Sequence, residues 1–341
     1  MNKEHKILLI NFGGIGDEIL FLPTISALRK LYKDSIITLA LEPRSASVMQ
    51  LTQDIDETIT VDIKKRSKFW GLLKLLFKAW QEKYDMVISS GANKAIPILL
   101  FMMGVKKRYG YNSGSLSKIL LTKAVTLNKQ QYAAAMYYDL ISDLTQEKMQ
   151  LPEISLEDIS KIPNSVLIHP GVSKMSIEKK IYKAPNAEFW SELVEKLLSE
   201  GKKVILSGGG DDAEIIGKIL TNLKEKGLSD NENFRNIYGK TTSLKDLARR
   251  IKEAEVMVCS DSAPMHIGVG VGTKIVALFG PTDEKKLLPV SENFKAAYVN
   301  CGCRPCLWDK AQQSCSERFC LNFNVEEVLE LIQQQFSQVN H

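Results

Sequence analysis

Two short stretches of the sequence hold residues suited to acid–base and phosphate chemistry. The first, Asn11-Phe12-Gly13-Gly14-Ile15-Gly16-Asp17, puts three glycines and an acid directly after an apolar run. Glycines let a backbone approach a ligand closely, and Asp17 falls in the first turn of a helix, where a carboxylate also complements the helix dipole. The order departs from the dinucleotide fingerprint G-x-G-x-x-G, whose third glycine falls on Ile19. Glu42, at the end of the next strand-like run, can imitate the ribose-binding acid of that fingerprint, which keeps a nicotinamide-dependent oxidoreductase as the alternative. A P-loop is excluded, because no Gly-Lys-Ser/Thr follows. The second stretch, VCSDSAPMHIGVGVGTKIVALFGPTD, sets Asp261 and Ser262 at a strand end, with Pro264 as the first helical residue and His266 within the first turn. Amides at such a helix start suit a diphosphate, and Thr282 in the following GPTD turn can reach the same anion.

Three further features compete for attention. Cys301, Cys303, Cys306, Cys315 and Cys320 crowd into twenty residues, and Cys303, Cys306, Cys315 and Cys320 have a spacing able to hold a structural zinc or iron. The eight residues between the two pairs are few for a zinc ribbon, so reduced or oxidised thiols are the stronger reading. Asp54 and Asp56 form a D-x-D pair in a polar loop and read as turn chemistry. In KKRSKFWGLLKLLFKAWQEK, residues 64–83, Phe69, Leu72, Leu73, Leu76, Phe77 and Trp80 recur at helical spacing behind Lys64, Lys65, Arg66 and Lys68. This helix is expected to bury its apolar stripe on a sheet. A basic amphipathic helix lying on an anionic membrane is the alternative.

The elements that must position these groups alternate strand and helix. KILLINF, SIITLAL and YDMVISS read as strands, with the helix DEILFLPTISALRKLY after the first. The grammar restarts after residue 160 with SVLIHPG and runs through KKVILSGG, EVMVCSD and KIVALFGPTD, with helices between. TQEKMQLPEISLEDISKIPNS is the linker. The expected division is an N-terminal Rossmann-like domain over 1–155, a second over 160–323, and a C-terminal helix and tail over 324–341. In such sheets ligands sit beyond the carboxyl ends of the strands.

Composition sets the outer bounds. The chain has 341 residues, 44% apolar and 25% charged, and its formal net charge of +5 is too mild to argue for nucleic acid. No apolar run reaches the ~18 residues that span a bilayer, and the first run is too short for a signal peptide, so the expected compartment is the cytoplasm.

GGIGDEILFLPTISALRK, GVKKRYGYN, HPGVSK and GKTTSLKDLARRIKEAEVMVCSDSAPMHIGVGVGTKIVALFGPTD together resemble, in order and spacing, the family nine glycosyltransferases, the bacterial heptosyltransferases of lipopolysaccharide core assembly. The resemblance implies a GT-B fold, two facing Rossmann-like α/β domains, the first binding the acceptor and the second the nucleotide sugar. It implies an inverting transfer that needs no metal, from ADP-heptose to a glycolipid or other surface glycan, with peripheral contact at the inner membrane. Asp17 matches the proposed general base, and Gly13, Gly14 and Gly16 the acceptor-side loop. Lys183 matches a basic residue that contacts the donor phosphates. Ala184 stands where the family has Trp, so Lys179 and Lys180 remain alternatives. Ser173 falls in the donor-side loop, and Asp261, Ser262, Ala263, His266 and Thr282 fall where the family binds diphosphate and sugar. A non-catalytic sugar-nucleotide-binding relative is the third function class.

Overall fold

Runs such as KILLI, IITLAL and KIVALF, apolar at nearly every position, become strands covered on both faces, as parallel sheets require. The computed structural model describes residues 5–63, 68–307 and 315–337. The chain divides into two units, Met1–Ile154 and Ser155–His341.

The first unit runs β1 (Lys6–Ile10), α1 (Ile15–Leu31), β2 (Ile36–Leu41), β3 (Glu57–Thr60), α2 (Lys68–Glu82), β4 (Met86–Ser89), α3 (Ile96–Met102), β5 (Lys107–Tyr111), α4 (Ser115–Leu120), β6 (Lys123–Val125) and α5 (Ala133–Tyr138). Its sheet has the order β3-β2-β1-β4-β5-β6. Every pairing is parallel, with Leu8 of β1 opposite Thr38 of β2 and Val87 of β4. The chain steps one way from β1 to β3 and the other way from β4 to β6, so the direction reverses between β1 and β4. Right-handed crossovers then put α1 on one face and α2, α3 and α4 on the other. α1 is apolar around most of its circumference, with Ile19, Leu20, Phe21, Leu22, Ile25 and Leu28 buried, because it lies under α5 and the 3-10 turn Pro43–Gln50 as well as on the sheet.

The second unit runs β7 (Ile162–His169), α6 (Lys174–Glu178), α7 (Ala187–Ser199), β8 (Lys203–Leu206), α8 (Ala213–Glu225), β9 (Phe234–Asn236), α9 (Leu244–Glu253), β10 (Ala254–Ser260), α10 (Ala263–Gly270), β11 (Lys274–Phe279), α11 (Glu284–Leu287), β12 (Phe294–Tyr298) and α12 (Val325–Ser337). Its parallel sheet has the order β12-β11-β10-β7-β8-β9, the same winding as the first, with the reversal between β7 and β10. One core joins β7, β8, β10 and β11 to α7, α8 and α12, centred on the fully buried Trp190. Val325, Val328, Leu329 and Ile332 belong to that core, so the last helix is part of the second unit and not a separate tail.

The helix over residues 68–82 corrects an expectation. Its stripe was drawn through Phe69, Leu72, Leu73, Leu76, Phe77 and Trp80, but the buried side is Leu75, Leu76 and Ala79, and Phe69, Trp70, Phe77 and Trp80 face solvent. Apolar residues occupy two sides of this helix, and periodicity alone cannot say which one the sheet takes. Lys64, Lys65 and Arg66, expected to crowd its front, lie outside the described residues. Asp54 and Asp56 are held more firmly than a solvated turn would be. Ser26 donates to the Asp54 carboxylate, Arg29 pairs with Asp56, and the Ile37 amide donates to Asp56 at 2.7 Å.

Candidate active site

In the first unit the chain leaves β1 at Ile10 and turns through the glycines into α1, beside the point where the strand order reverses. Asp17 Oδ2 accepts the Gly14 amide at 2.7 Å, a carboxylate in the first turn of a helix reaching back to the residue that starts it. A Cβ on Gly13 would lie 2.2 Å from Asp17 Cβ, so only glycine lets the loop close on this acid. Asp17 is exposed, and its second oxygen has a 3.5 Å contact from the Tyr137 hydroxyl. Ser90, just past β4, donates to Asn11 Oδ1 at 2.7 Å, and Asn11 Nδ2 donates to the Asp17 carbonyl at 3.3 Å, tying the two strand ends at the reversal to the acid's turn. Beside Asp17, Glu18 is 1% exposed and neither carboxylate oxygen has a hydrogen-bond partner of full geometry among the described residues. Burial, reinforced by the charge of Asp17, pushes its pKa well up against the weaker lowering effects of Asn11 and the Gly13 amide. Burial thus sets Glu18 apart from its exposed neighbour Asp17. Glu42 is buried and paired to Arg44 at 2.5 Å, and Arg44 also borders Gly14. It is thus engaged in the loop rather than presented to a ribose.

In the second unit the corresponding reversal lies between β7 and β10, and Ser260 at the end of β10 donates to the Pro170 carbonyl beyond β7 at 2.8 Å. Asp261 follows, 3% exposed, and its Oδ2 receives Lys183 Nζ at 3.0 Å and Thr282 Oγ1 at 2.7 Å. Burial alone would raise this carboxyl, but Lys183, the two hydrogen bonds and His266 together hold it below the usual aspartate range. Ser262 starts α10, whose first residue is Ala263, so Pro264 stands second rather than first. The Ser262 hydroxyl donates to the Ser260 carbonyl at 3.3 Å and does not cap the helix; Pro264 has no N–H and the Met265 amide donates to the Ser262 carbonyl at 3.0 Å, so the Ala263 amide is the donor this helix start presents to an anion. His266 is buried beneath this start. Lys183 is the lysine brought to Asp261, whereas Lys179 and Lys180 are exposed. Ser173 caps the short α6, accepting the Ser176 amide at 3.3 Å, and makes no contact with the Asp261 cluster.

The cysteine-rich segment braces the Gly280–Thr282 turn. Arg304 donates to the Gly280 and Thr282 carbonyls, each at 3.0 Å, and to Glu284 at 2.8 Å, while the Cys306 amide donates to the Pro281 carbonyl at 2.9 Å. Cys303, Cys306, Cys315 and Cys320 line one cavity of about 80 Å³ with Tyr182, Pro281 and Arg318. Burial raises the Cys320 thiol to about 11. Among the described residues no three acidic, cysteine or histidine side chains are placed as a metal-holding group.

Some contributors were invisible in the sequence. Glu18, Asn11 and Tyr137 act through burial and position rather than type. Asp212 could have been found, because SGGGDD after β8 repeats the turn after β1. The Gly209 amide donates to Asp212 Oδ2 at 2.7 Å, and a Cβ on Gly171 would strike that carboxylate at 1.7 Å. Asp212 faces His169 across 3.8 Å, both buried, and burial lowers the pKa of the histidine against the opposing pull of Asp212.

Two Rossmann-type parallel sheets of the same winding, one carrying an exposed acid and the other the Asp261 cluster at their reversal points, have the GT-B fold of solved heptosyltransferases. The chain belongs to glycosyltransferase family 9 (heptosyltransferase), whose sequence pattern matches residues 73–316. It is 21% identical over 298 residues to lipooligosaccharide heptosyltransferase 2 of Campylobacter jejuni, an alignment covering 86% of this chain and 87% of that one. Among solved structures it is similar to a family 9 glycosyltransferase of Veillonella parvula, with a TM-score of 0.80, 22% identity and 99% of each chain covered. It is also similar to the ADP-heptose lipopolysaccharide heptosyltransferase II of E. coli, with a TM-score of 0.71, 21% identity, and 97% and 100% covered.

Proposed function

We propose that this glycosyltransferase moves a heptose from an ADP-sugar to a lipopolysaccharide-core glycolipid, with inversion, with Asp17 as general base and without a catalytic metal. The carrying observation is the state of Asp17: one oxygen is fixed by the Gly14 amide, while the other, exposed apart from the 3.5 Å contact of Tyr137, is available to a substrate hydroxyl. The acceptor hydroxyl gives its proton to that oxygen as its own oxygen bonds to the anomeric carbon, and the bond from that carbon to the diphosphate breaks on the opposite side. Charge accumulates on the departing diphosphate. Lys183, which has N–H groups beyond the one given to Asp261, and the Ala263 amide supply donors where it develops, with Thr282 holding Asp261 in place, which leaves a metal no necessary role. The ADP-heptose donor and the lipopolysaccharide acceptor are those named for the similar E. coli structure. The same reading puts the protein in the cytoplasm, in peripheral contact with the inner membrane. The cysteine cluster is structural, as thiols or around a zinc or iron, and elemental analysis of protein purified without chelator distinguishes these.

The test is Asp17→Asn. Transfer is expected to fall about 10²–10⁴-fold, while thermal stabilisation by ADP, expected to exceed that by UDP, GDP or NAD, persists. Wild-type transfer should continue in excess chelator. An active Asp17→Asn enzyme would remove the base, and loss of activity in chelator would remove the metal-free mechanism.

A further inference from the structure

Positive charge and exposed apolar surface in the first unit concentrate in one stretch of sequence, the one that forms α2, α3, α4 and the turns and strands between them. From Lys64 to Lys123 the sequence has thirteen lysines and arginines against two acids, Glu82 and Asp85, although the whole chain carries only +5. Set against the thirteen, the two acids still leave an excess of eleven positive charges, with Glu82 paired to Lys6 and Lys78. The same span holds Phe69, Trp70, Phe77 and Ile119, exposed by 65%, 70%, 62% and 75%, with Trp80 and Phe101 beside them at 49% and 54%.

Among the described residues, the exposed aromatic and aliphatic side chains share one side of the first unit. α2, α3 and α4 lie on the sheet face opposite α1, and the inner sides of α2 and α3 meet in one core through Leu75, Leu76, Ala79, Leu100 and Met103. The outer sides are joined as well. Phe77 packs edge-to-face on Trp80, Trp80 Nε1 donates to the Met102 carbonyl at 2.8 Å, and the Arg108 guanidinium sits 5.6 Å from the centre of the Phe101 ring. Exposed Lys74 and Lys118 stand on α2 and α4, and exposed Lys106 and Lys107 in the turn after α3 and at the first residue of β5.

We infer that this face docks on an anionic phospholipid bilayer, its aromatic rings entering the headgroup layer and its lysines meeting lipid phosphates. Trp and Phe rings favour that layer, and each lysine near an anionic surface adds to the attraction. A second copy of the chain fits less well, since self-pairing would oppose two strongly cationic faces. Nucleic acid would use the charge but not the aliphatic side chains. The inference deepens the glycolipid-acceptor reading, and its test uses no transfer step.

Full-length protein is sedimented with sucrose-loaded vesicles of phosphatidylcholine alone or with about 30% phosphatidylglycerol, at ~0.1 M and ~0.5 M salt. It should pellet with the anionic vesicles only, and partition at least about tenfold less at the higher salt. Trp70→Ser/Phe77→Ser and Lys74→Glu/Lys106→Glu/Lys107→Glu should each lower partitioning at least about tenfold while ADP still stabilises them. Trp70→Ser alone, at a largely exposed site, serves if the double variant melts early. Equal pelleting with neutral vesicles, no pelleting, wild-type behaviour of the variants, or a dimer by light scattering that the variants split would each overturn the docking. Because ADP stabilisation and transfer are read separately, a protein that binds vesicles without transferring sugar refutes the transfer mechanism alone.

Discussion

Asp17 and Glu18 are neighbours of like chemistry set apart by burial. Asp17 faces solvent, whereas Glu18 is enclosed and its carboxyl is pushed well above the usual glutamate range. The raised folded-state pKa of Glu18 fixes the sign of its effect on stability. Below the unfolded value of about 4.3 both states hold the proton, and above it the folded state still does while the unfolded state does not, so stability falls as pH rises toward the folded pKa. Glu18→Gln removes this loss. Its melting temperature should exceed that of wild type by roughly 2–4 °C near pH 8, with the gap closing toward pH ~4. A constant gap across pH would show that Glu18 is ionised in the fold. Asp17 was legible because an acid after a glycine turn is a pattern of types. The raised pKa of Glu18 was not, because it depends on what covers the first turn of α1, including the distant Tyr137 region.

At the scale of elements, two turns repeat one device. After β1 and after β8, a carboxylate reaches back three residues to the amide that starts its helical turn, and a glycine, Gly13 in the same loop or Gly171 in another, leaves room for it. Gly13→Ala forces a Cβ to within 2.2 Å of Asp17 Cβ, an atom held by the helix backbone, so the first turn of α1 must shift. Transfer is expected to fall at least about 10²-fold through misplacement of the acid, with the rest of α1 kept by its buried apolar side chains. Kinetics alongside a thermal melt check this, and near-normal kinetics would mean that the loop tolerates the shift. The long buried strands and their helices were readable from periodicity and turn residues. β6 and β9, three residues each, were not, because so few residues carry no periodicity. The outward face of α2 was misread because both of its sides are apolar. Arg304, which braces the Gly280–Thr282 turn, was hidden because its partners are backbone carbonyls twenty and more residues away.

Across the whole molecule, charge is sorted more sharply than the net value suggests. Residues 1–154 carry 21 basic and 15 acidic side chains, and residues 155–341 carry 24 and 25. A total of +5 conceals a cationic first unit and a second that is close to neutral. The family and the two-sheet architecture were readable from ordered motifs spanning most of the chain, whereas this sorting became meaningful only when topology put α2, α3 and α4 on one face. In the second unit Lys183 already rests on Asp261 at 3.0 Å, so the lysine assigned to the donor's diphosphate has a local counter-charge before any ligand arrives. A balanced site projects little field into solution and does little to steer an anion over distance. Stopped-flow measurement should therefore find a donor association rate changing less than about threefold between ~0.05 and ~0.3 M salt, with most of the salt effect in dissociation. A steep fall in association with salt would mean that long-range attraction governs arrival. With the pair already formed, the donor is captured by contact rather than drawn in from afar, and the time it stays depends on how readily Lys183 exchanges one anionic partner for another.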